Sequence, residues 1–278
     1  MKRLTLFIAT ILLTLNAGSV SRTDSAGTRF NMDKDFLLVQ YDCKTDVDDL
    51  HTIAAFRSLT SDPLFSDLHY YAVAGAYGIQ DGLYVPPNNL FRLAFGNKWS
   101  DAHENAEKAV KEVIKKVKAT IKNNGDIWIA EAGQSDFTAK LVSELQNAFP
   151  ELNTQGRIHV VQHSDWNEKS TSPESLAYVK KNCDYIKIPD GNTVGNGSPG
   201  FRDGDYTDWK QDISNEKLAN IWQLASDIST NYNGEDNRYN NSAIANGGLD
   251  FSDLSEVCWI FGLEVIKDAR QFFRLYVK

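Results

Sequence analysis

Short apolar runs alternate with helical patterns from residue 36 to about residue 188. The run Phe36-Leu37-Leu38-Val39-Gln40-Tyr41 is dense enough in apolar side chains for a buried strand. Over residues 48–59, Leu50, Ile53, Ala54 and Phe56 recur at helical spacing and give one apolar side. Residues 69–74, 126–131, 157–161 and 185–188 read as four further strands. Helices are predicted over residues 102–122, 137–149, 175–181, 218–229 and 254–265, and a late strand over 271–277. The many Lys and Glu residues of 102–122 read as a solvated helix face.

This alternation predicts an α/β fold: a single open, mainly parallel sheet with helices on both faces, three-layered and Rossmann-like. In such sheets ligands bind outside the carboxyl ends of the strands, so polar clusters after the first, third, fourth and fifth of these strands should converge on one cleft. The Gly-, Asn- and Asp-rich stretch 189–212 is long for a compact domain and is placed to cover that cleft. No internal repeat or low-complexity tract interrupts the pattern, so residues 36–278 are expected to form one domain behind a flexible leader, residues 22–35.

The first residues carry a different signal. Lys2 and Arg3 precede an apolar run broken only by threonines, and small residues follow, which is the layout of a signal peptide over residues 1–21. A run of that length is shorter than the ~20 residues needed to span a bilayer. Secretion or a periplasmic location is therefore expected, with no membrane attachment once the segment is removed. Hydrophobic residues make up 42% of the chain, enough for a core that folds without staples. The formal net charge is −8, and losing residues 1–21 removes two basic residues and no acid. So acidic a surface disfavours nucleic acid and suits a neutral small molecule or a cation. Cys43, Cys183 and Cys258 form no C-x-x-C pair and read as buried thiols. Composition does not set an oligomeric state, and a homo-oligomer stays open.

The densest chemistry lies in Gln40-Tyr41-Asp42-Cys43-Lys44-Thr45-Asp46-Val47-Asp48-Asp49, with four carboxylates directly after a buried strand. Thr45 or Asp46 could cap the following helix, with Asp48 and Asp49 favouring its dipole. One or two acids would need no more than that, whereas four repel one another unless a hard divalent cation compensates. An EF-hand is excluded, because Val47 occupies the loop's glycine position and Ile53 its final glutamate position. A phosphatase-type nucleophile motif fails at Lys44, where a second Asp would stand.

The run Thr45-Asp46-Val47-Asp48-Asp49 resembles the N-terminal signature of the nucleoside-hydrolase family, one version of which reads D-x-D-x-G-T-D-V-D-D. The resemblance implies that Asp42 and Asp49 bind calcium, that Asp42 activates the attacking water, and that Asp48 contacts sugar hydroxyls. Gln40 stands where the family has its first Asp, and Lys44 where it has glycine; Lys44 could take a substrate contact instead.

Three later segments extend the resemblance. Glu131-Ala132-Gly133-Gln134-Ser135-Asp136 is similar to the family turn whose carbonyl binds calcium, which implies Ser135 or Asp136 as donor; both would equally serve as helix caps. Asn246 to Asp253 resembles the loop that carries the last metal ligand, with Asp253 the first choice and Asp250 the second. Asp253 and Glu256 also fit a capping pattern. Asp190-Gly191-Asn192 holds the position of a sugar-binding Asn, or is an ordinary turn. From chemistry alone, His163 is a candidate leaving-group acid or a surface hydrogen-bonding group, and Trp166 a candidate stacking platform. The run from Gly195 to Gly200 matches G-x-G-x-x-G but contains Pro199 and precedes no helix pattern, so a dinucleotide site is rejected.

The expected activity is calcium-dependent hydrolysis of an N-glycosidic bond in a nucleoside-like substrate. A non-catalytic, calcium-dependent sugar-binding protein on the same fold is the rival, and a purely structural exported protein without metal a weaker third reading.

Overall fold

The computed structural model describes residues 29–192 and 200–277. The signal segment 1–21, the leader's first residues 22–28, most of the glycine run, residues 193–199, and the final residue 278 lie outside these. Strands and helices alternate as expected. In chain order they are β1 (Phe36–Tyr41), α1 (Asp48–Leu59), β2 (Tyr70–Ala74), α2 (Asn88–Phe95), β3 (Trp99–Asp101) and α3 (Ala102–Lys122). Next come β4 (Ile127–Ala132), α4 (Asp136–Ala148), the single turn α5 (Thr154–Arg157), β5 (Ile158–Gln162), α6 (Asp165–Ser170), α7 (Pro173–Asn182) and β6 (Asp184–Lys187). The last third holds β7 (Arg202–Asp203), α8 (Glu216–Tyr232), α9 (Ser242–Ala245), β8 (Leu249–Asp250), α10 (Leu254–Ile260) and α11 (Ala269–Tyr276).

Six strands form one parallel sheet in the order β3-β2-β1-β4-β5-β6, and β7 and β8 make a separate antiparallel pair. Strand β1 shows why both faces are covered. Alternate side chains of a strand point to opposite faces. Leu37, Val39 and Tyr41 join a core with residues of α1, α2, α8, α10 and α11, whereas Phe36 and Leu38 join a second core with α3, α4 and Val179 of α7. The sheet is therefore the middle of three layers, and β1 reads as a near-continuous apolar run because it is buried on both sides.

The order reverses at β1. The chain first builds outward through β2 and β3, then crosses back to add β4 on the other side of β1. Ligands of open α/β sheets bind at such a switch point, beyond the strand ends. Here β1 and β4 end side by side, Tyr41 paired with Ala132, and the Asp42 amide donates to Ala132 O at 3.0 Å.

Three expectations are corrected. Residues 271–277, expected to be a strand, lie mostly in helix α11. Ala269, Phe272, Phe273 and Tyr276 are buried at helical spacing, and Asp268 caps the start by accepting from the Gln271 amide at 2.7 Å. The helix expected over 254–265 stops at Ile260. The described part of the leader, residues 29–35, is packed rather than loose. Phe30 meets Phe261 edge-to-face, and the buried Asp35 accepts from the Asn31 and Asp126 amides and the Trp128 indole. Among the described residues no helix is long and apolar enough to cross a membrane.

Candidate metal centre and active site

A cavity of about 410 Å³ opens at the switch point, lined from β1, α1, β4 and the segments after β5 and β6, with Asp253 on its wall. Of the residues singled out from sequence, Asp42, Lys44, Asp48, Asp49, His163, Trp166, Asn192 and Asp253 all line it. Asp136 and Asp250 do not.

Asp42 follows β1 directly, so its position is fixed by the sheet. Gly133 makes room beside it: at φ 143°, a Cβ there would sit 2.8 Å from Asp42 Cβ. One Asp42 oxygen accepts from the Lys44 amide at 2.8 Å. The other accepts from the amides of Gln134 at 2.9 Å and Gln80 at 3.2 Å. Burial pushes its carboxyl up to about 6, while the bonds from Lys44 and Gln134 hold it below what burial alone would give.

Asp49, in the first turn of α1, is 3% exposed; one oxygen accepts from the Cys43 amide, and the other, Oδ1, has no hydrogen-bond partner. Burial, then the charges of Asp42 and Asp253, raises its carboxyl well above the usual range. Asp48 is raised by burial and then by Asp46 and Asp253, and Asp253 by burial, with His163 pulling the other way. A cluster so displaced is one whose ionised form lacks counter-charge.

Asp48 and Asp49 do lie in the first turn of α1, where they favour its dipole, but neither Thr45 nor Asp46 caps that helix. The N-cap of α1 is Val47 with no side-chain cap, and Asp253 makes no cap bond to α10. Glu256, fully buried, reaches His163 instead of the helix start, accepting from its backbone amide at 3.2 Å. The two C-terminal acids are placed differently. Asp253 faces the cavity, whereas Asp250 is fully buried behind it, bonded to Asn241 at 2.8 Å and paired with Arg202 at 3.4 Å.

Neither Ser135 nor Asp136, the residues expected to supply a donor from this turn, lines the cavity. Ser135 Oγ donates to Glu131 at 2.7 Å, and the Asp136 carboxylate accepts from the Ser172 amide and hydroxyl, so it is turned toward α7. Ala132 and Gly133 reach the cavity in their place. His163 lines the cavity, but its ring lies between two carboxylates. It is 2% exposed, with Nδ1 3.1 Å from Glu256, too poorly aligned for a good hydrogen bond, and Nε2 3.6 Å from Asp253. Burial alone would lower its pKa, yet Glu256 and Asp253 outweigh that and lift it to about 9.

Lys44 lies on the cavity wall with its ammonium 4.6 Å above the Tyr77 ring. Gln40, a residue of β1, is buried and bonded to Thr138 at 2.9 Å, away from the cavity. Asn192 reaches Ser252 at 3.1 Å, which ties the segment after β6 to the Asp253 loop. Trp166, at the start of α6, is 50% exposed. Sequence reasoning missed Gln80, Gln134, Glu256, Arg202, Tyr239 and the cavity position of Asp46. Amide and guanidinium groups in loops carry no periodic signal, and only the fold brings them to Asp42 or the cavity wall.

These residues fit a hard divalent cation. The donor set is anionic oxygen, it lacks counter-charge, and a buried Asp49 oxygen is unpartnered. Among the described residues no three His, Cys, Asp or Glu side chains are already gathered around one point, so taking up an ion requires the carboxylates to turn inward. No family model, curated protein or solved structure matches the chain.

Proposed function

We propose that the protein is a calcium-dependent hydrolase of N-glycosidic bonds. The observation that carries this reading is the pairing, at the sheet's switch point, of a hydrogen-bonded Asp42 with three further buried carboxyls, Asp48, Asp49 and Asp253, against which only His163, beside Asp253, sets a positive charge. Asp42, Asp49 and Asp253 would hold the ion, which when bound supplies charge stabilisation and orients water and sugar hydroxyls. Asp42, with its carboxyl lifted to about 6, is suited to take a proton from water near neutral pH. Asp48 and Asn192 stand on the same wall to accept and donate hydrogen bonds to ring hydroxyls, and Trp166 offers a ring face to the leaving base. His163 holds Asp253 in place through its ring.

The second reading, a sugar-binding protein that does not turn over, is favoured by Lys44. Its charge sits on the cavity wall where the resembling signature has glycine, and there it could take the ion's place beside Asp42. The two readings separate in one experiment. Calcium binding is followed by calorimetry, and ribose release is followed from a panel of nucleosides with calcium and with chelator. The hydrolase reading expects both binding and calcium-dependent release. Binding of calcium and ribose with no release from any nucleoside would favour the binding protein, and absence of both would remove the two readings together.

Residues 1–21, with two basic residues before an apolar run, support export to the periplasm or beyond. Mass spectrometry of the exported chain should show a start between Val20 and Arg22. An intact Met1 in that fraction would overturn it.

A further inference from the structure

The cavity's composition bears on the leaving group. Six carboxyl side chains line it against three basic ones, Lys44, Arg202 and His163; Arg202 is already paired with Asp250 at 3.4 Å, and His163 lies between Glu256 and Asp253. One divalent ion leaves acid in excess. A neutral base needs a proton as it departs, because its nitrogen otherwise leaves as an anion. None of the His, Lys or Tyr side chains on the described walls stands free to give one, which leaves that task to a wall carboxyl raised by burial, such as Asp48. Both ring nitrogens of His163 face carboxylates, at 3.1 and 3.6 Å, and that ring is 2% exposed. The Lys44 ammonium lies over Tyr77, and the Tyr239 hydroxyl is bonded to Arg202. What the wall does offer is Trp166, half exposed. It lines both this cavity and an adjoining groove of about 500 Å³, and Asp190 lines the same two spaces; the groove also holds Lys169 and Lys187, of which Lys187 is paired with Asp165 and Glu168.

We propose that the site takes N-glycosides whose leaving group is already a cation, a pyridinium-type ring seated on Trp166 beside Asp190. This rests on the hydrolase reading above. The aromatic face attracts a cationic ring, and the surplus carboxylates favour it over a neutral one. The chemistry then balances without an acid. The bond between the anomeric carbon and the ring nitrogen breaks, its electron pair passes to nitrogen, and the heterocycle leaves neutral. Water oxygen forms the new bond to carbon, and its proton goes to Asp42.

The test has a kinetic arm and a binding arm. In the first, nicotinamide riboside is compared with inosine and uridine, each corrected for spontaneous hydrolysis. The pyridinium substrate should show a kcat/KM higher by about a hundredfold or more, the low end of what a general acid supplies to a neutral base. In the second, the pyridinium cation 1-methylnicotinamide and neutral nicotinamide are titrated into calcium-free protein. The cation should bind about tenfold tighter, and Trp166→Leu, at a half-exposed position that the fold tolerates, should remove most of that difference. If inosine or uridine is cleaved as fast as nicotinamide riboside, the cationic preference is wrong while the hydrolase reading stands. If none of the three is cleaved, both fall. Equal binding of the two nicotinamides also overturns the proposal.

Discussion

Asp42→Asn should lower ribose release by about 10²–10⁴-fold, the range typical of a lost general base. The substitution keeps the side chain's size and an oxygen that can still accept from the Lys44 amide, so the fold around β1 should survive. It removes the charge and the basicity. Calcium affinity should fall as well, because one anionic donor is lost from the set with Asp49 and Asp253. Asp49→Asn should behave differently: metal binding weakens, and added calcium restores part of the activity, because Asp49 is assigned to the ion and not to the water. Steady-state kinetics across calcium concentrations separate the two. Should high calcium restore Asp42→Asn as fully as Asp49→Asn, Asp42 would be a metal ligand only. Asp46 provides the register control. It lines the cavity but bonds Asn241 and the Val47 amide, so Asp46→Asn should cost far less activity. A crippling effect there would place the catalytic acid elsewhere in the cluster.

Without calcium, the protein should be more stable at pH 5 than at pH 7.5. Burial and mutual repulsion raise Asp42 to about 6 and Asp46 to about 7, and lift Asp48, Asp49 and Asp253 as well. A carboxyl whose folded pKa exceeds its unfolded value of 3.8 binds its proton more tightly when folded. The stability it contributes is complete below pH 3.8 and is lost as the pH climbs through the folded value. His51 works the other way. Burial lowers it to about 3, so below its ordinary value the unfolded chain takes up a proton that the folded one refuses. The carboxyls outnumber it, and the net effect should be a few kcal/mol, roughly 5–10 °C in Tm. Calcium should reverse the balance by pairing with the ionised carboxylates, adding ~2.7 kcal/mol at a hundred times its dissociation constant. Protons compete for the same oxygens, so the calcium shift should be larger at pH 7.5 than at pH 5. Melting curves at the two pH values, with calcium and with chelator, test this. A chelated protein that gains stability from pH 5 to 7.5, or a calcium shift independent of pH, would show that these acids are not a cation site.

Local pattern determined much of the frame. β1 and α1 were legible to the residue, because a six-residue buried strand and a helix with apolar residues at helical spacing carry their own signals, although α1 proves buried on nearly every side. α3 was legible for the same reason, its buried Ala109, Val110, Val113 and Val117 facing one way. The parallel sheet with two covered faces followed from the alternation itself. β3 was invisible because it is three partly buried residues with no apolar run, a strand only because β2 offers an edge. Phe272, Phe273, Leu275, Tyr276 and Val277 have strand-like composition, but a helix buries the apolar positions at its own spacing, and packing overrode propensity.

The site divides along the same line. Asp42 to Asp49 are close in sequence, and a strand followed by a short turn and a helix must bring them together, so their grouping could be read directly. Everything that meets them from farther along the chain was decided by tertiary structure. A strand end fixes where a residue sits but not where its side chain turns. That is why Asp136, one turn beyond β4, faces Ser172, while Asp253 and not Asp250 reaches the cavity. It is also why His163 lies clamped between two carboxylates, and why the Asp42 carboxylate is held by Gln80 and Gln134 from two separate loops. These contacts depend on loops that share no periodicity and meet only because the strand order reverses at β1.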